Sequence, residues 1–431
     1  MSSNSPSPLR FIIVGEGIGG LAAALALSKA GHYVIVLEGA PKILEIGAGI
    51  QVAPNMLRVL DSWGIGEEAR QVGMKVQQVQ VLRWQDGAKL SVTAVDHGHG
   101  EQIVVHRGEL HTALLKAAKQ SPHVVIREDS LVVDTNLNHA SVRLRNGEIV
   151  SGDVIIGADG IKSMIRGRLL GENSDVAMPT GDSVFRLQLP RELMESDPIL
   201  SQYLDGNVVR RWIGPDRHVV AYPVRNKRTY NIAMAHPDRG GLDESWTRPG
   251  SRDDMLREFQ GWHTDLVRML ELVPDEEILA WKLCSHPPLK TWVYKSCALL
   301  GDACHPMLPY VAQGAAQAVE DAATLGIIFS KVTAKSQITK ALEVYERVRK
   351  ERAETVQSFG MANRKVLHLH DGPEQVTRDH LFAIGAAPDR WVDKETRRFL
   401  WDWDLVAATE QACDEFLQFG DAEPHRFHER L

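Results

Sequence analysis

Three acidic side chains stand where α/β proteins bind polar ligands. Glu38, Asp159 and Asp302 each follow a short apolar run that is typical of a buried strand. Ligands of open α/β sheets bind beyond the carboxyl ends of the strands. A carboxylate such as that of Glu38 accepts hydrogen bonds from the hydroxyls of a ribose and repels a ribose 2′-phosphate. We therefore expect these acids to lie around one nucleotide-like ligand.

Residues 10–38 carry the G-x-G-x-x-G spacing of a dinucleotide-binding crossover. Gly15 permits a tight turn, Gly17 lets the backbone approach a pyrophosphate, and Gly20 lets helix and strand pack closely. The start of the following helix carries partial positive charge, which suits a diphosphate. A purely structural βαβ unit is the alternative, but the ordered strand, helix, second strand and acid disfavour it. The spacing fits FAD and NAD equally well, since both contain an ADP half.

Composition limits the classes of function. The chain of 431 residues is long enough for two domains, and its net charge of −7 without a basic stretch argues against nucleic acid as a partner. No run approaches the roughly 18 apolar residues that a membrane span needs. Residues 1–9 lack the basic start and apolar core of a secretory signal. The four cysteines have no C-x-x-C spacing, so no disulfide framework and no metal site is expected. We expect a cytoplasmic protein.

Two patterns of hydrophobic residues predict the strands and helices that position these acids and glycines. Up to about Gly171, and again from Lys295, apolar runs alternate with helical stretches, as in α/β domains. Between Gly171 and Thr291 the period is nearer 2, which predicts a second sheet forming one face of a binding cavity. Its predicted strands are 183–189, 208–213, 218–223 and 229–235. Helices are predicted over 256–272, 315–329 and 341–359, and the tryptophans of the tail are expected to pack it onto the body.

Three features leave alternatives open. Residues 45–55 form a predicted loop that either lines a cofactor or serves as a plain connection. Arg107 lies between a strand and a helix, where facing a phosphate and staying in solvent are equally expected. The second sheet interleaves arginines with aromatic residues, a pattern that core aromatics with solvated arginines on the other face explain well. These residues are Phe185, Arg186, Arg210, Arg211, Trp212, Tyr222 and Tyr230.

Several motifs, in this order, resemble those of single-component FAD-dependent aromatic hydroxylases, and most of all the salicylate-hydroxylase-like branch. The glycine spacing with Glu38 is similar to the motif that binds the ADP half of FAD. Two later motifs and three shorter stretches match as well. They are Gly157-Ala158-Asp159-Gly160 with Ser163 and Arg166, Gly301-Asp302 with His305-Pro306 and Gly314, and the segments GAGIQVAPN (47–55), HRGEL (106–110) and WDWD (401–404). The resemblance covers about residues 10–405.

The resemblance implies a set of FAD contacts. Glu38 would hold the ribose, and Arg107 with Asp302 would contact the ribityl and pyrophosphate part. Backbone N–H groups of Gly314 and Ala315 would lie near the pyrimidine edge of the flavin. Asp159 is implicated in handling both FAD and the nicotinamide. The full set of expected cofactor residues is Gly15, Gly17, Gly20, Glu38, Gly49, Arg107, Asp159, Asp302, Gly314 and Ala315.

The implied fold is α/β, with a Rossmann-type FAD-binding domain interleaved with a sheet-based substrate domain and followed by C-terminal helices. The change of period at Gly171 agrees with this division. The expected boundaries are 10–75, 101–175 and 292–370 for the FAD-binding domain, 76–100 and 176–291 for the substrate domain, and 371–431 for the C-terminal helical region.

Two positions depart from the family pattern. Glu16 stands where the family commonly has a small residue, and an acid beside the pyrophosphate would be unfavourable unless it points to solvent. Ala316 stands where the family often has an asparagine after Gly314 and an alanine. One hydrogen bond to the flavin is then missing or supplied by water.

The implied activity is a monooxygenase reaction that uses NAD(P)H and O₂ and proceeds through a flavin hydroperoxide. Because no second dinucleotide fingerprint is present, NAD(P)H would bind transiently. The expected substrate is an electron-rich aromatic molecule such as a phenol, a salicylate-like acid or an indole, as in secondary metabolism. Arg186 and Tyr222 are the candidate catalytic residues, since a cation or donor near the substrate oxygen favours the phenolate, and His218 and Arg211 are reserves.

Several alternatives stay open. Hydroxylation, decarboxylative hydroxylation, dearomatisation and epoxidation all fit, as does either nicotinamide cofactor. A flavin-dependent dehydrogenase or reductase without oxygen transfer, and a non-catalytic flavin-binding protein, are the rival functions. The expected assembly is a monomer or a homodimer.

Overall fold

The computed structural model describes residues 8–41, 48–171, 177–240, 248–386 and 388–416. Most of the predicted leader, residues 1–9, and the last part of the C-terminal region, residues 417–431, lie outside the described residues. Within the described ranges, every helix is too short or too polar to cross a lipid bilayer.

The strands, in chain order, are β1 Arg10–Val14, β2 Tyr33–Leu37, β3 Gly49–Val52, β4 Met74–Lys75, β5 Gln78–Arg83, β6 Lys89–Ala94, β7 Ile103–His106, β8 Val124–Arg127, β9 Val132–Asn136, β10 Ser141–Leu144, β11 Ile149–Ser151, β12 Val154–Gly157, β13 Met178–Pro190, β14 Val208–Gly214, β15 Arg217–Val224, β16 Thr229–Pro237, β17 Ile278–Ser285, β18 Val293–Tyr294 and β19 Cys297–Leu299.

The α-helices are α1 Ile18–Lys29, α2 Pro54–Trp63, α3 Gly66–Val72, α4 Arg107–Gln120, α5 Met164–Leu170, α6 Arg191–Glu195, α7 Arg252–Glu258, α8 Thr264–Glu271, α9 Gly314–Phe329, α10 Ile338–Leu367, α11 Pro373–Ala383, α12 Lys394–Trp401 and α13 Leu405–Phe416.

The first sheet is a Rossmann-type sheet. Its strand order is β18-β19-β12-β1-β2-β8, and β1 pairs in parallel with both β2 and β12. The central strands are continuous apolar runs, which suits strands covered on both faces. Ile12 and Ile13, which are fully buried, lie in the middle of this sheet. The carboxyl ends of β1, β2, β12 and β19 therefore meet at one edge.

The second sheet has the order β17-β13-β16-β15-β14-β5-β6 and is antiparallel except for the parallel pair β14 and β5. Its period-2 pattern places Leu187 and Ile232 on one face, in a core shared with Leu266 of α8. The other face packs against β4 and β7, the segment before α9 and the C-terminal helices. Because β5 and β6 precede most of the first sheet's later strands, the chain crosses between the two parts several times. The predicted fold class, with its interleaved α/β and sheet-based parts and C-terminal helices, is confirmed.

Three predicted elements differ in detail. The single helix predicted over 256–272 is two helices, α7 and α8, because Gly261 takes a positive φ of 80° between them. The loop predicted over 45–55 contains strand β3, which pairs with β7, while residues 42–47 lie outside the description. The helix predicted over 341–359 is longer at both ends and forms α10. Trp391 and Trp401 of the tail are buried, as predicted.

Candidate active site

The turn between β1 and α1 is tight and open on one side. Gly15 has a φ of 105°, and a Cβ atom there would lie 2.4 Å from the carbonyl oxygen of Ala158. A Cβ atom on Gly20 would lie 2.0 Å from the carbonyl oxygen of Gly15, so helix and turn require glycine at both positions. A Cβ atom on Gly17 would meet no atom within 4 Å. The backbone at Gly17 therefore borders free space, where a diphosphate fits.

Glu38 follows β2 and lies directly beside this turn. Its Oε2 accepts a hydrogen bond from the backbone N–H of Glu16 at 2.9 Å, and its Oε1 accepts one from the N–H of Ala40 at 2.8 Å. Each oxygen keeps a further lone pair, since a carboxylate oxygen accepts two hydrogen bonds. The carboxylate is thus fixed in an orientation that leaves acceptors for a ribose diol.

Glu16 does not point to solvent. Its residue is only 2 % exposed, and neither carboxylate oxygen has a hydrogen-bond partner among the described residues. Burial, with the charges of Glu128 and Glu38, raises the pKa of Glu16 to about 7. A neutral carboxylic acid at this position avoids the repulsion that an ionised one would exert on a pyrophosphate.

Asp159 holds the start of α5. Its Oδ1 accepts a hydrogen bond from Ser163 Oγ at 2.5 Å and its Oδ2 accepts one from the N–H of Ile165 at 3.1 Å. The guanidinium of Arg166 is buried and donates to the carbonyl oxygen of Ala303 at 3.1 Å. Arg166 thereby joins the second motif of the sequence to the third, because Ala303 belongs to the short 3-10 turn that contains Asp302.

The opposite charges of Arg107 and Asp302 interact, and both residues are accessible to solvent. We call the space that they border the cleft. The protein around Asp302 still reduces the hydration of its carboxylate and so raises its pKa, with His305 and Arg107 opposing the rise. Burial lowers the pKa of Arg107, and the charge of Asp302 opposes that change. The first residue of α4 and the turn after β19 therefore form two charged walls of one cleft.

The N-terminus of α9 is also accessible, and we expect it to border the same cleft. Gly314 and Ala315 are its first residues, and both are partly accessible. The N-cap residue Gln313 makes no side-chain capping hydrogen bond, so N–H groups of the first helical turn remain available for a ligand. Such N–H groups, with the helix dipole, stabilise negative charge.

Arg186 and Tyr222 come together on the face of the second sheet that turns towards this cleft. Arg186 Nη1 donates to the carbonyl oxygen of Gly49 at 3.3 Å, and its guanidinium lies 5.7 Å from the ring centroid of Trp281. A Cβ atom on Gly49 would lie 2.5 Å from Cε2 of Tyr222. Gly49 is therefore enclosed by both candidate catalytic side chains, which contact strand β3 of the small sheet β3-β7-β4.

One row of side-by-side residues across the second sheet is partly accessible to solvent. Strand register places Leu279, Arg186, Ala233 and Val220 side by side, and all four are partly accessible. Several neighbours on the same strand face, such as Tyr222, are buried. Because Ala233 has the smallest side chain in this row, it leaves room between Arg186 and Val220, and we call this space the cavity.

The two reserve candidates have other partners. Arg211 forms a buried ion pair with Asp389 at 2.7 Å and stacks on Trp391, with its guanidinium 4.7 Å from the ring centroid. His218 Nδ1 lies 2.7 Å from His368 Nε2, and both rings are buried. Burial, then His368 and Arg211, lower the pKa of His218 well below its usual value, so this imidazole is neutral at pH 7.

These observations fit FAD. The open turn at Gly17, the oriented acceptors of Glu38 and the free N–H groups at the start of α9 match a diphosphate, a ribose and an electron-rich ring edge. The sequence model of a family described as "FAD binding domain" matches residues 9–359. The chain belongs to this family. Relatives named FAD-dependent monooxygenases match 94–95% of this chain. The chain is a FAD-dependent monooxygenase, and the resemblance drawn from its motifs is confirmed.

Relatives of this flavoprotein span most of its length. The FAD-dependent monooxygenase atnJ of Arthrinium sp is 37% identical over 416 residues, which cover 95% of this chain and 98% of that protein. A 3-hydroxybenzoate 6-hydroxylase of Polaromonas naphthalenivorans is 31% identical over 414 residues, covering 94% of this chain and 98% of the relative. The solved structure of a salicylate hydroxylase substrate complex superposes with a TM-score of 0.78 at 27% identity, covering 94% of this chain and 98% of that one.

The sequence did not point to some residues that shape this flavoprotein's site. Ala233 and Val220 look like ordinary strand residues, and only the strand register shows that they line a cavity. His368 lies 150 positions from His218, and no local pattern connects the two. The small size of Ala233 between two bulkier neighbours on its row is the only signal we recognise.

Proposed function

We propose that this monooxygenase oxidises a small electron-rich aromatic molecule, most simply a phenol, with NAD(P)H and O₂ as co-substrates. The observation that carries the proposal is the pairing of a cation and a phenol donor, Arg186 and Tyr222, over the small floor of Ala233. An aromatic ring fits such a cavity, and its oxygen substituent would lie between the two polar side chains. The names of several relatives support this class, since they act on hydroxybenzoate, hydroxynicotinate and hispidin.

The three acids and the glycine turn form the proposed cofactor site. Gly15, Gly17 and Gly20 would admit the diphosphate, and Glu38 would bind the ribose. The further proposed FAD contacts are Gly49, Arg107, Asp159, Asp302, Gly314 and Ala315. When bound, FAD supplies the redox chemistry that couples NAD(P)H oxidation to oxygen transfer.

The protein's own contribution is to hold the substrate in its more reactive form. The guanidinium of Arg186 favours the phenolate over the phenol, because an adjacent positive charge lowers the pKa of an acid. Burial raises the pKa of Tyr222 to about 12, with Arg186 opposing the rise, so its hydroxyl stays protonated at neutral pH. It therefore donates a hydrogen bond to the phenolate oxygen. Trp281 and the surrounding buried residues keep water away from the ring.

An isotope experiment separates this function from its rivals. The purified protein is reconstituted with FAD and screened with phenols, aromatic acids and indoles for faster NAD(P)H loss. The active substrate is then converted under ¹⁸O₂, and the product is analysed by mass spectrometry. One ¹⁸O atom in the product is the expected result. Substrate oxidation without ¹⁸O would identify a dehydrogenase, and FAD binding without any stimulated turnover would identify a non-catalytic flavoprotein.

The cellular setting is also part of the proposal. No disulfide joins Cys284, Cys297, Cys304 and Cys413, which all lie in the described part of the chain, and this suits a reducing compartment such as the cytoplasm. We propose a monomer or a homodimer, and sedimentation of the reconstituted protein distinguishes the two.

A further inference from the structure

Buried charges on α9 connect the proposed FAD site to the C-terminal region. We propose that residues 399–403, at the end of α12 and just after it, act through Arg352 to hold the cofactor-binding ends of α9 and of β19 in place. Arg352 and Trp403 are then positioning residues for FAD, although neither lies at the cleft. The inference rests on the proposed place of FAD.

The first connection runs from Glu320 to the start of α9. Glu320 is buried on this helix, and its Oε1 accepts a hydrogen bond from Asn55 Nδ2 at 2.7 Å. The same amide nitrogen donates to Oε1 of Gln313 at 3.1 Å. Gln313 immediately precedes Gly314, so Asn55 fixes the helical turn whose N–H groups border the cleft.

The second connection runs from Asp321 to the turn that carries Asp302. Asp321 is fully buried, and its Oδ2 accepts a hydrogen bond from the backbone N–H of Gly301 at 3.1 Å. The same oxygen lies 2.6 Å from Nε2 of His305. Both ends of the segment that contains Asp302 are therefore attached to one carboxylate of α9.

Arg349 of α10 joins the two acids. Its Nη1 donates to Glu320 at 2.6 Å and its Nε donates to Asp321 at 2.8 Å. Burial alone would raise the pKa of Glu320, but Arg349 and Arg352 more than offset it, and the pKa is lowered. The same balance, with His305 and Arg349 as the neighbouring charges, lowers the pKa of Asp321. Both acids are ionised at neutral pH, and each depends on its arginine partners.

Arg352 extends these contacts to the C-terminal region. Its Nε donates to Glu320 at 2.9 Å, while Nη1 donates to the carbonyl oxygen of Phe399 at 2.7 Å and Nη2 to that of Leu400 at 2.9 Å. These carbonyls lie near the end of α12, where a helix carries partial negative charge. The guanidinium lies 4.3 Å from the ring centroid of Trp403, a cation–π contact that shields it from water.

Through this network, a change in the C-terminal contacts affects the residues that border the cleft. A buried charge that loses a partner is strongly destabilised, so the structure relaxes around it. Loss of Trp403 exposes Arg352 to water and loosens its hold on Glu320. Glu320 in turn positions Asn55, and Asn55 positions Gln313. We therefore expect weaker FAD binding from a change made at the C-terminal end of this chain of contacts.

The chain offers a matched control. Trp391 also belongs to the C-terminal region and also stacks on a buried arginine, Arg211, which is paired with Asp389. That arginine belongs to the second sheet and not to the network on α9. Trp403→Ala and Trp391→Ala thus remove the same kind of contact at two places, and general loss of stability affects both.

The experiment measures the Kd of FAD by quenching of flavin fluorescence, together with the flavin reduction potential, well below the unfolding temperature of each variant. We expect Trp403→Ala to raise the Kd about tenfold or more, the factor that 1.4 kcal/mol produces, and to shift the potential. Trp391→Ala should change the Kd by less than about twofold and leave the potential unchanged. Trp403→Phe, which keeps an aromatic face for Arg352, should restore most of the affinity. Equal Kd values for the two alanine variants would overturn the inference.

A second measurement uses the unchanged protein. Because coupling between two sites is reciprocal, FAD must stabilise residues 399–403 if they stabilise FAD binding. Hydrogen exchange of these amides should slow when FAD is added to the apoprotein, while exchange around Trp391 should change less. Identical exchange with and without FAD would contradict the inference. Failure of the wild-type protein to bind FAD at all would instead contradict the proposed function.

Discussion

The backbone N–H of Glu16 donates to Oε2 of Glu38 at 2.9 Å, so the second residue of the glycine turn and the acid after β2 are held as neighbours. Two carboxyl groups consequently share the place where the ADP half of FAD is proposed to bind. Glu38 has backbone donors for both of its oxygens, while the described residues offer none to the carboxylate of Glu16. Because of this difference in solvation, Glu38 is the acid proposed to bind the ribose, and Glu16 is the acid whose protonation depends on pH.

Binding of FAD should weaken as pH rises through 7. Burial, Glu128 and Glu38 raise the pKa of Glu16 to about 7, against the lowering effect of Lys119, so this acid is neutral below that pH and ionised above it. Ionised Glu16 repels the diphosphate. The nearby His111 does not reverse the trend, because burial lowers the pKa of its imidazole below 6.5 and leaves it neutral.

Fluorescence titration of FAD from pH 6 to pH 9 tests this expectation, with a rise in Kd of at most about tenfold per pH unit for one proton. Glu16→Gln and Glu16→Ala should bind FAD tightly and with little dependence on pH. A wild-type slope that persists in Glu16→Gln would assign the titration to another group.

Replacement of Glu38 should lower FAD affinity at every pH. A hydrogen bond to a charged group contributes about 1.5–3 kcal/mol, so Glu38→Gln should raise the Kd of FAD about 10- to 150-fold. Glu148→Gln is the control, since that carboxylate pairs with Arg127 at the surface. Similar Kd values for both variants would remove Glu38 from the proposed FAD contacts.

Replacement of Arg186 should impair turnover and leave the cofactor in place. Arg186→Gln removes the charge that favours the phenolate, and kcat/KM should fall about 10- to 150-fold for the phenolic substrate identified in the screen. The fall should be smaller at a pH where that phenol ionises by itself. Arg210→Gln provides the control, because Arg210 stacks on Tyr203 on the opposite face of the same sheet. If Arg210→Gln lost as much activity, the effect would reflect the sheet and not the cavity.

Filling the floor of the cavity should exclude the substrate. Ala233→Leu places three further carbon atoms between Arg186 and Val220, in a space that is now accessible. We expect substrate binding to weaken at least about tenfold with little change in the unfolding temperature, since the added side chain enters a cavity and not a packed core. Ala221→Leu, on the buried face of β15, should instead lower the unfolding temperature. Unchanged KM for Ala233→Leu would contradict the placement of the substrate over β16.

Much of the cofactor half was predictable from local spacing. Gly15, Gly17 and Gly20 fall within six residues, and the turn they form depends mostly on backbone geometry. The apolar runs before Glu38 and Asp159 are long enough to indicate buried parallel strands. These features need only neighbours in the chain, so the sequence predicted the Rossmann-type sheet and the family. The domain boundaries and the FAD contacts of individual residues stay predictions.

The substrate half depended on the tertiary structure. Alternation in β13–β17 shows that side chains point to opposite faces, but it does not tell which face meets the cofactor. Arg186 and Arg210 looked equivalent in the sequence, yet they lie on opposite faces of one sheet. The sequence left open whether Glu16 points to solvent. The structure buries it, with the charges of Glu38 and Glu128 from two other strand ends near enough to raise its pKa.

The sequence by itself therefore determined the class of cofactor. The glycines that indicate it and the acid that follows them belong to one strand–helix–strand crossover. The cavity, the pairing of His218 with His368 and the charge network from Glu320 to Trp403 were decided only by the folded chain. The physical reason is distance along the chain: these contacts depend on strand register and helix packing between residues that lie up to 265 positions apart, as Asn55 and Glu320 do. No local pattern encodes which of several similar side chains will meet there.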